Sequence, residues 1–96
     1  MEVTYHPLVE RDVLGILRYY HDISPRLAAE FQGELSAKVD NAAQNPLRFP
    51  PTAQGFRRAN LKKFPYHFLY EPHPGSIRVM IVRHNKRHPR FGTGRE

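Results

Sequence analysis

Hydrophobic positions follow a two-residue period at the start of the chain, a helical period through its first half, and a two-residue period again after Gly55. In Glu2–Tyr5, Val3 and Tyr5 fall on one side, which predicts a short strand. Pro7 ends it and suits the first turn of a helix, where its missing N–H costs nothing. From there Val9, Val13, Ile16, Leu17 and Tyr20 recur at helical steps, predicting a helix with one apolar face that ends near His21-Asp22. Ser24-Pro25 opens a second helix: the serine hydroxyl can accept from the early free N–H groups, and proline fits the first turn. Leu27, Phe31, Leu35, Val39 and Ala42 continue the stripe until Asn45-Pro46 stops it, giving about twenty residues and ~30 Å of helix. Joined by so short a link, the two helices must fold back antiparallel.

The segment Asn45–Gln54 carries three prolines and reads as an ordered, non-helical connection. Beyond it, Phe56–Leu61, Tyr66–Tyr70 and Ile77–Arg83 read as a three-stranded meander, broken by Lys62-Lys63-Phe64-Pro65 and by Pro72-His73-Pro74-Gly75. In the second break a proline fixes φ and the glycine after it tolerates φ > 0, as a tight turn requires. Strict alternation in the last strand puts Ile77, Val79 and Ile81 on one face and Met80 and Val82 on the other. A strand apolar on both faces belongs in the centre of a sheet. Arg57 and Arg58 are adjacent and so project to opposite faces. If Arg58 pairs with Asn60 on one face, Arg57, Ala59 and Leu61 take the other, and alternation does not say which row is open.

Strand, helix, helix, then three strands imply an α+β domain, with an antiparallel helical hairpin packed on one face of an antiparallel sheet. The expected organisation is a single domain over 1–96, with 85–96 a basic tail. No cysteine is present, which rules out disulfides, thiol catalysis and cysteine-ligated zinc. There is no signal-peptide pattern and no apolar run near the ~20 residues of a membrane span, so the expected location is the cytoplasm, without membrane contact. The charge is one-sided. Residues 1–54 carry five Lys/Arg against seven Asp/Glu, a net −2, and residues 55–96 carry ten against two, a net +8. Such a field draws nucleic acid or an acidic protein partner.

The run Phe56-Arg57-Arg58, then Leu61, Lys63-Phe64-Pro65-Tyr66, Tyr70, Val79, Val82, His84, Arg87 and Pro89 resembles the RelE/ParE superfamily of bacterial toxins from toxin–antitoxin pairs. Tyr19-Tyr20, Ala28, Phe31, Asn45-Pro46 and Phe49-Pro50 extend the likeness over nearly the whole chain. It implies the α+β fold derived above and a cognate antitoxin that wraps the toxin. ParE-like members of the superfamily poison DNA gyrase and cut nothing; RelE-like members are endoribonucleases that cut mRNA on the ribosome. The Arg-Arg-x-x-Leu-x-Lys-Phe-Pro-Tyr run and the Val-x-His-x-x-Arg-x-Pro ending look more like the ParE and plasmid-stabilisation branch. That favours gyrase as target over ribosome and mRNA, with a non-toxic antitoxin-binding module as a third reading. Neither a cofactor nor a small-molecule substrate is implied.

Were the chain a nuclease, its chemistry would need a base for the 2′-hydroxyl, an acid for the leaving oxygen and cations for the phosphate. His84, with an ordinary pKa near neutrality, is the best acid or base. Arg57, Arg58 and Arg83 are the candidate clamp, and Lys62 or Lys63 could assist. RelE-like nucleases often carry a tyrosine near the C-terminus, where this tail has Phe91. His84 equally suits a strand end that packs and hydrogen-bonds locally. His84 and His88 are four apart, a metal spacing only on a helix, which Pro89 disfavours. Tyr66, Phe68 and Tyr70 could form a base-stacking platform, though period two in a strand more often builds core.

Overall fold

A computed structural model describes residues 1–96. In it β1 (Glu2–Tyr5) is followed by α1 (Val9–Ile23), α2 (Pro25–Gln44), β2 (Arg57–Asn60), β3 (Tyr66–His73) and β4 (Ser76–His84). The sheet order is β1-β4-β3-β2, so β4 is internal, as its two apolar faces require. β2/β3 and β3/β4 pair antiparallel, as a meander must. β1, however, lies parallel to β4, from Glu2 opposite Ser76 to Tyr5 opposite Val79, which makes the sheet mixed. The reason is the connection: a strand that re-enters the sheet after a long crossover can run parallel, whereas only a short turn enforces antiparallel pairing.

The helices start and stop close to the predicted points. Pro7 sits in a turn before the helix, and α1 begins at Val9, with the His6 imidazole accepting the Leu8 N–H at 3.1 Å. Between the helices stands Ser24 alone, in extended backbone. Its hydroxyl makes no capping bond; the Ser24 carbonyl instead accepts the N–H groups of Leu27 and Ala28.

Phe31 of α2 is wholly buried at the centre of the helix-facing core, with Ala42, Ala59, Phe68, Tyr70, Ile77 and Val79. Tyr20, Phe64 and Tyr66 surround it, with ring centroids 5.5–5.8 Å from that of Phe31. Tyr20 stacks on Phe31 while Phe64 and Tyr66 meet it edge to face, and such aromatic pairs add to the area term. Phe68 and Tyr70 are therefore core, not an exposed stacking platform.

Strict alternation fails in β4. Leu69 pairs with Ile81 but Tyr70 pairs with Val79, leaving Met80 as the extra residue of a bulge. The parity flips there, so Ile77, Val79 and Val82 share the helix face. Met80 and Ile81 join Phe56 and Leu69 in a separate cluster on the other face. β3 also runs further than predicted, through Pro72 to His73. β2 pairs with β3 only as far as Tyr70, so Pro72 has an open flank where a missing N–H breaks no ladder. The two-residue turn is then Pro74-Gly75, with Gly75 at φ 77°.

The proline-rich connection is held by side chains. Tyr70 donates its hydroxyl to the Pro46 carbonyl at 2.7 Å, and Arg57 Nη1 donates to the Phe49 carbonyl at 2.8 Å. At the other end of the sheet, Glu34 of α2 accepts the Lys62 and Lys63 N–H groups at 2.6 and 3.0 Å, fixing the β2–β3 turn.

Candidate functional site

The four residues singled out in the sequence are distributed over both faces of the sheet. Arg57 lies opposite Tyr70 on the helix side and is occupied by the carbonyls of Leu47 and Phe49. Arg58 is on the far face, its Nε–H donating to Asn60 Oδ1 at 2.8 Å. That settles the row: Arg58 and Asn60 face away from the helices. Arg83 shares this face but is 6% exposed. Its Nε–H donates to His67 Nε2 at 2.9 Å, and its Nη1 donates to the backbone carbonyls of Pro89, at 3.0 Å, and of Phe91. His84 is on the helix side beside Tyr66, ring centroids 5.0 Å apart, with Nδ1 accepting the Lys86 N–H at 3.0 Å. Arg57 and His84 face opposite ends of β3, roughly 15 Å apart from strand geometry. Of the four, only Arg58 and Arg83 share the far face, and Arg83 is engaged there through Nε and Nη1. Of the proposed helpers, Lys63 Nζ is paired with Glu30 at 3.0 Å, which together with Arg26 holds the Glu30 carboxyl below its ordinary pKa.

His67, which sequence patterning does not mark, sits between Arg83 and Asn85. An arginine Nε–H can only donate, so His67 Nε2 must be unprotonated and its ring proton lies on Nδ1, donated to Asn85 Oδ1 at 2.8 Å. Burial drives the His67 pKa down from 6.5 to about 4, the Asn85 bond opposes this, and Arg58, Arg83 and His84 add to the fall. Burial, with Arg58 nearby, lowers the pKa of Arg83 also.

These contacts hold the tail across the far face. Its second anchor is Arg95, whose guanidinium grips the Asp12 carboxylate of α1 at 2.6 and 3.0 Å and donates to the Met80 carbonyl at 3.1 Å. Asp12 also accepts the Val82 N–H at 3.2 Å. β1 stops opposite Val79, so the edge of β4 beyond it would have unpaired backbone groups. The Asp12–Arg95 pair, its side chains 11% and 9% exposed, takes the place of the missing strand. Nothing in the sequence marks two residues 83 positions apart as partners.

Where α1, the end of β4 and the tail meet there is a cleft of about 340 Å³ lined by Tyr19, Tyr66, His84, Arg87 and Phe91, with Gly15 and Asp12 in its wall. Arg87 stacks over Phe91, 4.6 Å from the ring centroid. Burial raises the pKa of the Tyr66 hydroxyl, Tyr19 adds to the rise and Arg87 opposes it. A larger cleft, about 550 Å³, runs between the helices and β1 and is mostly apolar, with Val9, Val13, Leu17 and Leu35 in its walls.

Three comparisons bear on these features. No curated protein matches the chain. Eight chains among solved structures do. One, from the chromosomal ParDE TA system of P. aeruginosa, is 17% identical over 88% of this chain and 95% of that one, with a TM-score of 0.75. At that identity the likeness is one of fold, and it covers the helical hairpin on the open sheet described above. Residues 3–89 match the family described as the ParE toxin of the type II toxin–antitoxin system, parDE. With most of its length matched, the chain belongs to the ParE toxin family.

Proposed function

We propose that this protein arrests growth as the toxin of a type II toxin–antitoxin pair by inhibiting DNA gyrase, breaking no bond itself, and is neutralised by a co-encoded antitoxin. The observation that carries the reading is the dispersal of Arg57, Arg58, Arg83 and His84 in a chain of the ParE family. A ribonuclease needs a base, an acid and cations around one phosphate. Arg57 and Arg83 are here committed to backbone carbonyls, on opposite faces of the sheet. The strongly positive second half of the chain suits an acidic antitoxin segment.

The test is pulse labelling after induction without antitoxin, followed by a supercoiling assay with purified gyrase. Early loss of thymidine incorporation and inhibited supercoiling are expected. His84→Ala and Arg58→Ala should leave growth arrest in place. Early loss of methionine incorporation, with cleavage of ribosome-bound mRNA abolished by those two substitutions, would overturn the reading in favour of a ribosome-dependent nuclease.

A further inference from the structure

We propose that the cleft between α1 and the tail is a binding site for one unstacked nucleotide of a nucleic-acid strand, its base against the aromatic wall and its phosphate at Arg87 and His84. The inference goes beyond the choice of growth-arrest target and holds whichever target is correct.

Its walls carry the chemistry that a single strand requires. Every base has a π-face, and aromatic rings or a guanidinium plane receive it without regard to sequence. Tyr19 is 59% exposed and Phe91 41% exposed. Both line the same cleft as the half-buried Tyr66, while the other rings of this region are packed into the core. Gly15 stands between the α1 side chains with nothing within 4 Å of where a Cβ would be, which leaves the cleft floor open.

The electrostatics point the same way. Asp12 is the only carboxylate in the lining, and Arg95 neutralises it at 2.6 Å. Arg87 has no carboxylate partner, and its guanidinium, stacked on Phe91, keeps its donors for an outside acceptor. His84 accepts from the Lys86 N–H through Nδ1, so in its neutral form the ring proton is on Nε2, a second donor at the cleft. Lys86 and Arg90 flank Arg87, exposed and free of ion pairs. The site is therefore cationic as well as aromatic. An acidic peptide would use the charge but not the exposed rings.

Fluorescence anisotropy with labelled oligothymidine and oligouridine, in low and moderate salt, tests this. Micromolar binding that weakens with salt is expected. Tyr19→Ala and Arg87→Gln should each weaken it by about fivefold or more, with Tyr19→Phe restoring it because the ring remains. Arg48→Gln, the same charge change at an exposed position outside the cleft, should cost less than about twofold. Unchanged thermal melting of Tyr19→Ala would confirm that the fold is intact. Absence of oligonucleotide binding at low salt would overturn the proposal. So would equal losses in Arg87→Gln and Arg48→Gln, or a labelled oligoglutamate that binds as tightly as the oligonucleotides. A preference between thymidine and uridine would tell DNA from RNA as the strand bound.

Discussion

Protonating His67 is incompatible with the bond that holds it, because Nε2 must keep its lone pair to accept from Arg83. The folded protein therefore resists a proton that the unfolded chain takes up: the pKa is about 4 in the fold against an ordinary 6.5. Between those values the unfolded state binds more protons, so stability falls as pH falls. Above pH 6.5 both states are neutral and nothing is lost; below pH 4 the full difference has been spent. One pH unit of difference is worth about 1.4 kcal/mol, so the step from pH 7 to pH 5 should cost about 2 kcal/mol from this residue, rising to about 3 below pH 4. His67 is 1% exposed, so solvent does little to soften the effect. The assay is urea unfolding at pH 7, 6 and 5 for the wild type and His67→Gln. The variant has a different stability at pH 7, but its loss between pH 7 and pH 5 should be about 2 kcal/mol smaller. The other five histidines are common to both proteins and cancel in the comparison. Equal losses in the two proteins would refute the network as described, and with it the assignment of the ring proton to Nδ1.

Three further expectations concern the tail and the core. Asp12→Ala leaves Arg95 without its counter-charge and the Val82 N–H without an acceptor, so it should cost about 3 kcal/mol or more in chemical unfolding; a loss within 0.5 kcal/mol would show that the pair contributes only what a surface pair does. Gly92→Ala places a methyl group on Ile81 Cδ1 at a backbone φ of 77°, so it should lift the tail and increase proteolytic cleavage after Lys86 to Arg90; an unchanged digestion pattern would count against a docked tail. Phe31→Ala empties the middle of the aromatic cluster and should cost about 3–5 kcal/mol, read from the urea midpoint.

Most of the architecture was legible in the sequence because periodicity is a local property. The stripe from Val9 to Tyr20 and that from Leu27 to Ala42 set two helices, and the Pro/Gly breaks set the meander. The run from Phe56 to Tyr66 and the residues after it carried the resemblance to the family now matched over residues 3–89. What patterning cannot count is a bulge: the extra residue at Met80 costs nothing in composition, yet it reverses which side chains of β4 face the helices. Arg57 and Arg83 read as free cations because the carbonyls they serve belong to segments with no periodicity of their own. The pairing of Asp12 with Arg95, the seat of His67 between Arg83 and Asn85, and the meeting of Tyr19 with Phe91 in one cleft are equally non-local. Local physics along the chain determined the elements and the sign of the field. Only the tertiary structure decided which charged side chains are spent on backbone groups and which remain for a partner, because that depends on where the sheet leaves its own polar groups unpaired.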